Sequence, residues 1–307
     1  MTFRKMKKAQ IIHNPTAGNE EHDRKHIISL LEKSFEDIRY VSTKTDRWED
    51  FEKYHPDVIF VVGGDGTVHK VAEVLMKTGV PGALPPVHVI PKGTANNIAR
   101  TLGTTGGLDN FHYEPNISIQ PFNVGKIQGM EGEQYFYEGV GFGIIPRLIR
   151  KMQNSEVKNE SPEEELRRSV KTLLEITKKY NPKTAYLEAD GEIIKGGFLL
   201  VELLNINYIG PNLFLAPAAE MGDGLLDLVM IPQENRELLI TALENVLSGT
   251  SSPSEFQKAS RTMRVKKVKM QWNGTGVHID DDLVKNYSRY PFSAMVAPVS
   301  LQFFRKD

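Results

Sequence analysis

Gly63-Gly64-Asp65-Gly66-Thr67 puts three glycines, a carboxylate and a hydroxyl into five consecutive positions. Residues without a Cβ let main-chain N–H groups approach a ligand closely. An acid and a hydroxyl among them suit the terminal phosphates of a nucleotide with its Mg²⁺. The same composition can also serve a tight turn in which Asp65 bonds its own backbone. The flanking residues favour chemistry: Val58, Ile59, Phe60, Val61 and Val62 form a continuous apolar run, and Val68, Val71, Ala72 and Leu75 follow at helical spacing. The glycines therefore mark a strand-to-helix turn that carries the positive end of the helix dipole.

Two further stretches have the same character. In His13-Asn14-Pro15-Thr16-Ala17-Gly18, Asn14 and Thr16 could bond phosphate or ribose while Pro15 and Gly18 shape the turn. In Pro91-Lys92-Gly93-Thr94-Ala95-Asn96-Asn97, Gly93, Thr94 and Asn96 stand where a helix opens. Either alone is weak, because Asn-Pro and Gly-Thr are ordinary turn chemistry. Three polar strand ends converging on one sheet edge carry more weight. No GxxxxGK[ST] occurs, and neither GGDGT nor Gly139-Val140-Gly141-Phe142-Gly143 satisfies GxGxxG, so P-loop and dinucleotide modes are excluded. His13, His69, His88 and His278 do not form a set with metal-ligand spacing.

The elements that must position these loops alternate over residues 1–125. Strand patterns lie at Ala9–His13, Ile38–Ser42, Asp57–Val62 and Val87–Ile90. Helix patterns begin near Glu21, Trp48, Thr67 and Thr94. Repeated strand-helix units predict an α/β fold, a doubly wound and mainly parallel sheet. From 126 to 295 the texture is that of an antiparallel sandwich: EQYFYEGVGFGII, TAYLEADGEIIKGGFLLVELLNI, GLLDLVMIP, MRVKKVKMQW and FSAMVAPVSLQFF are strand-like, with turns at Asp190-Gly191 and Asn273-Gly274. Two helices interrupt it. One opens on the capping box Ser161-Pro162-Glu163-Glu164 and presents Leu166, Val170, Leu173, Leu174 and Thr177. The other, Glu234–Leu247, presents Leu238, Leu239, Ala242 and Val246.

Composition bounds the function. With 38 basic and 39 acidic residues the net charge is −1, which gives no reason to expect nucleic acid. Zero Cys excludes disulfides, thiolate metal sites and Cys nucleophiles, and fits a reducing compartment. No apolar run approaches the ~20 residues of a membrane span. The N-terminal MTFRKMKKAQII has only a strand-length apolar stretch, which argues against a signal peptide and for a cytoplasmic location. An apolar sandwich edge could pair, which leaves a homodimer open.

The motifs NPTAG, GGDGTVHKV, PKGTANN and, at Gly222–Leu228, GDGLLDL resemble in order those of bacterial diacylglycerol kinase-like lipid kinases, relatives of sphingosine and ceramide kinases. GGDGT alone is shared with NAD kinases and phosphofructokinases. The resemblance implies an ATP-binding α/β domain, a β-sandwich lipid-binding domain, and a last strand near 296–307 that returns to the first domain. It implies ATP contacts at Asn14, Gly64, Asp65, Gly66, Thr67 and Thr94, with Gly63, Gly93 and Asn96 in the same loops. A threonine after the second strand is also expected, Thr43 or Thr45. It further implies a structural Mg²⁺ held by the Asp223 carboxylate with oxygens of Glu220 and Leu225.

Two departures stand out. Asn97 occupies the place of a second acid, and the late DGE motif reads Asp280-Asp281-Asp282, so Asp282 replaces the expected Glu. The implied mechanism is direct phosphoryl transfer from ATP: Asp65 meets Mg²⁺ on the terminal phosphates, and Asp282, or Asp280 in its stead, takes the proton from a lipid hydroxyl. Three adjacent Asp can equally be a solvated turn. A membrane-borne acceptor implies transient contact with the inner membrane surface, for which the basic stretches Arg4–Lys8 and Arg261–Lys269 are candidates. The alternatives are a soluble-substrate kinase of the NAD kinase type and a catalytically weak nucleotide-binding regulator.

Overall fold

The computed structural model describes residues 7–15, 20–44, 47–78, 84–106, 118–132, 134–157, 160–252 and 254–306. Thr16, Ala17, Gly18 and Thr45, and Arg4 of the first basic stretch, lie outside them. The chain divides into two units, 1–122 with 299–307, and 123–298.

In the first unit the strands are β1 (Lys8–His13), β2 (Asp37–Ser42), β3 (Val58–Gly63) and β4 (Val87–Pro91). The helices are α1 (Glu20–Leu31), α2 (Asp65–Thr78) and α3 (Asn97–Thr101). The strands run parallel in the order β2-β1-β3-β4, and the end of the chain's last strand pairs beside β4, with Phe303 opposite Val87. All six residues of β3 are buried, as its unbroken apolar run requires. The spacing of Val68, Val71, Ala72 and Leu75 lays one face of α2 in the core. The helix expected at Trp48 is only one 3₁₀ turn, Asp50–Lys53. The helix expected near Thr94 begins at Asn97, because Asn96 is left-handed at φ 52° and breaks the turn before it.

His88 on β4 is 4% exposed and lies between the rings of Phe60 and Phe304, with centroids at 5.5 and 5.3 Å. Burial pushes its pKa down to about 4. A depressed imidazole gives its full stabilisation above the unfolded value near 6.5. As pH falls from about 6.5 toward 4, the unfolded chain takes up a proton the native ring refuses, a loss approaching about 3 kcal/mol. His88→Phe is expected to flatten this acid slope. Melting temperatures at about pH 5 and pH 7 read it, and an unchanged difference between the two would rule His88 out as the source.

The second unit opens with the latter part of β5 (Ser118–Gln128), then β6 (Gln134–Phe136) and β7 (Gly139–Gly143). Helices α4 (Ile144–Gln153) and α5 (Pro162–Lys179) follow, then β8 (Lys183–Ala189), β9 (Glu192–Leu204), β10 (Tyr208–Ile209), β11 (Leu213–Phe214) and β12 (Leu226–Pro232). After α6 (Arg236–Ser248) and α7 (Ser254–Ala259) come β13 (Arg261–Val265), β14 (Lys267–Trp272), β15 (Val277–Ile279), β16 (Asp282–Leu283) and β17 (Phe292–Arg305). The order β16-β15-β7-β9-β8-β14-β17 is antiparallel throughout. β9 joins two groups of strands: its first half pairs β8, and its second half lies between β7 and β12.

The capping box of α5 forms as its sequence predicts, with Glu164 N donating to Ser161 Oγ at 3.2 Å and Ser161 N to Glu164 Oε2 at 2.8 Å. Such a cap is worth about 1 kcal/mol. Three expectations need correction. Leu238 is 46% exposed, whereas Leu239 and Ala242 are buried as expected and Leu243 joins them on the buried face of α6. The strand-like EQYFYEGVGFGII ends at Gly143, where φ 110° turns the chain into α4. MRVKKVKMQW is two strands, broken where the Asp190 carboxylate accepts from Lys266 N at 2.8 Å and Lys267 N at 2.9 Å. Among the described residues no helix is long and apolar enough to cross a membrane.

Candidate active site

Parallel pairing sets His13 opposite Val62 and Gly63 opposite Pro91, so the three glycine-bearing loops leave the same edge of the first unit's sheet. Asn14 N donates to Val62 O and Lys92 N to Gly63 O, both at 2.9 Å, and Thr43 N donates to His13 O at 2.8 Å. Asn14, Thr43, Gly63 to Thr67 and Gly93 to Asn96 therefore gather at the carboxyl ends of β1 to β4, where open α/β sheets bind ligands.

The loops are built against one another. A Cβ on Gly93 would lie 2.5 Å from Gly64 Cα, and one on Gly64 2.9 Å from Gly93 Cα. A Cβ on Gly63 would meet Thr67 Oγ1 at 2.5 Å. Gly64 and Gly93 are demanded by loop-to-loop packing and Gly63 by the Thr67 side chain of its own loop, whereas a Cβ on Gly66 would meet nothing within 4 Å. The buried Thr67 hydroxyl accepts from Asn14 Nδ2 at 3.1 Å. Asn96 closes its own turn, accepting from Gly93 N at 2.9 Å and donating to Gly93 O at 2.7 Å. Its side chain is thereby occupied and does not cap α3.

Asp65 supplies that cap from the neighbouring loop. Its Oδ2 accepts from Asn97 N and its Oδ1 from Ile98 N, each at 3.0 Å. Burial pushes the Asp65 carboxyl up, against these two amides and the nearby His69. At 8% exposure, each carboxylate oxygen accepts from one amide at the start of α3.

In the second unit, Asp223 Oδ1 accepts from Leu225 N at 2.8 Å and Oδ2 is ion-paired with Arg264. The Leu225 carbonyl accepts from Asn123 Nδ2 at 3.2 Å. With a guanidinium on the carboxylate, the Glu220–Asp223–Leu225 loop does not fit a Mg²⁺ in this arrangement. The neighbouring Asp227 is buried, and burial together with Glu220 lifts its carboxyl to about 6.

The aspartate triplet forms a hairpin, with Asp280-Asp281 as the turn and Ile279 opposite Asp282. Asp280, at φ 49°, accepts from Tyr137 N at 3.1 Å, Glu138 N at 2.8 Å and Gly139 N at 3.1 Å. Its carboxylate is a clamp on the main chain. Asp281 and Asp282 are exposed. Beneath them the fully buried Glu202 and His278 form a pair that sequence reasoning missed. Its one signal was an acid inside the apolar run Phe198–Leu204.

Strand-end loops on a parallel sheet, followed by an antiparallel sandwich, are an architecture that two known domain families share with this chain. Residues 8–125 match the family described as diacylglycerol kinase catalytic domain, and residues 149–305 match the YegS C-terminal NAD kinase beta sandwich-like domain. The chain belongs to the diacylglycerol kinase-like lipid kinases, for which ATP is the phosphate donor. It is 28% identical over 285 residues to the diacylglycerol kinase of Bacillus subtilis (strain 168), across 88% of this chain and 90% of that one. It is 27% identical over 254 residues to that of Mycobacterium tuberculosis (strain ATCC 25618 / H37Rv), across 81% and 77%. A crystal structure of a diacylglycerol kinase from Bacillus anthracis str. Sterne superposes with a TM-score of 0.66 at 19% identity, covering 99% of this chain and 98% of that one. At that identity the likeness bears on the fold.

Proposed function

We propose that the protein transfers the γ-phosphate of ATP to a hydroxyl of a lipid, with diacylglycerol as the leading acceptor. The observation that carries the nucleotide half is the joined loop edge. There Gly66 lies in the first turn of α2, where N–H groups lack intrahelical acceptors and no Cβ intrudes. Asn14, Thr43 and Thr94 line the same edge, and Mg²⁺ arrives as part of the nucleotide substrate. Asp65 acts as a positioning residue that joins the GGDGT loop to the start of α3. Asp282 takes the acceptor's proton, and Asp280 fixes the turn that carries it. Positioning and charge neutralisation supply most of the rate.

The protein works at a membrane surface for as long as its acceptor is engaged. In the second basic stretch Arg261 is paired with Glu192 at 2.6 Å and Arg264 with Asp223, while Lys266, Lys267 and Lys269 are exposed. These lysines are the candidates for anionic headgroups.

The deciding assay offers labelled ATP with vesicles of diacylglycerol, monoacylglycerol, sphingosine, ceramide or phosphatidylglycerol, and separately with NAD. Label is expected in diacylglycerol. Label only in NAD would establish the soluble-substrate reading, and tight ATP binding with no acceptor labelled would establish the regulator.

A further inference from the structure

We propose that Glu202 and His278 are positioning residues, a buried strut that holds the Asp280–Asp282 turn in its working shape. The inference rests on the reading of Asp282 as proton acceptor. Gly141 of β7 lies opposite Glu202 of β9 on one side and His278 of β15 on the other. The two polar side chains thus meet across an intervening strand. A Cβ on Gly141 would fall 2.0 Å from Glu202 Oε2. That explains a glycine in the middle of GVGFG: it clears the space in which acid and imidazole touch.

The contacts are complete at both ends. His278 Nε2 lies 2.9 Å from Oε2 and 3.0 Å from Oε1 of Glu202, and Nδ1 lies 2.7 Å from the Asp280 carbonyl. Both ring nitrogens face oxygen acceptors, which is the pattern of an imidazolium. Burial disfavours that charge, but Glu202 and the Asp280 carbonyl outweigh it and lift His278 to about 9. Burial also pushes Glu202 up, so the two groups compete for the proton.

Through Nδ1 the ring fixes the carbonyl of Asp280, a non-glycine residue in the left-handed region. Asp280 N in turn donates to Gly139 O at 2.8 Å, and its carboxylate grips the amides of Tyr137, Glu138 and Gly139. The strut therefore sets the residue from which the turn is hung, and Asp282 follows two positions later. Stability alone is a poor reason for such a pair, since apolar replacement of buried ion pairs is often neutral or stabilising.

That same rule supplies the test. Glu202→Met with His278→Phe removes both charges together and keeps volume. The expected result is a cooperative thermal transition, with amide exchange at Tyr137, Glu138 and Gly139 about tenfold faster or more. In the lipid assay kcat is expected to fall about tenfold or more with KM for ATP within about twofold. Glu202→Gln, whose amide can pair with Nε2 of a neutral ring, is expected to hold exchange and kcat within about threefold of wild type. If the double variant does not fold, His278→Gln takes its place with the same expected exchange and kcat. Exchange and kcat both within about twofold in the variant without the strut would overturn the proposal, and so would faster exchange with unchanged kcat. If the wild type labels no lipid, the kinase reading fails, while the exchange result still decides whether the pair holds the turn.

Discussion

Asp65→Ala is expected to lower kcat/KM for lipid phosphorylation by about a hundredfold or more and to weaken ATP binding. Two amides at the start of α3 lose their acceptor in a buried place, at about 1–3 kcal/mol of stability. The larger effect is geometric. Gly64 and Gly93 touch only because the two loops are drawn together, and Asp65 is a bond across that join. Calorimetry with and without a chelator separates the roles. A brace predicts the same loss of affinity for metal-free ATP as for the magnesium complex. Loss confined to the magnesium complex would show that Asp65 is a metal ligand after all.

Asp282→Ala is expected to lower kcat by about 10² to 10⁴ while leaving ATP affinity unchanged, the range of a single general base. Asp282 is exposed and its main chain, paired with Ile279, is what the hairpin needs from it. The truncation removes chemistry without removing structure. Asp280→Ala is the contrasting case, because it orphans three amides and frees the turn. Full activity of Asp282→Ala in the diacylglycerol assay would strike that residue from the mechanism.

Elements whose apolar pattern matches one burial regime were legible in the sequence. The Val58–Val62 run reads as a two-sided strand because nothing polar interrupts it, and Ser161 with Glu164 announces α5 by a local bond that needs no partner elsewhere. α4 was not legible, because the turn out of Gly143 depends on a left-handed φ that the segment EGVGFGII does not advertise. At the site, the spacing of glycines located the loops but did not show that two of them meet. Gly64 and Gly93 are bare because each faces the other's backbone, and Asp65 looks inward because the Asn96 side chain is engaged with Gly93. Both facts depend on which loops become neighbours, and periodicity does not carry that information. The Glu202–His278 pair is hidden for the same reason, its members being 76 positions apart.

β17 belongs to both units, Phe292–Pro298 to the second and the remainder to the first. Its closing residues cover β4 through Phe303 and set Phe304 against His88 and Phe303 against Phe122. A ribosome makes those residues after the strands of the second unit. The amino-terminal sheet must therefore wait, one edge bare, until the sandwich strands have emerged, and its maturation is tied to synthesis of the sandwich rather than preceding it, the reverse of the usual amino-first order.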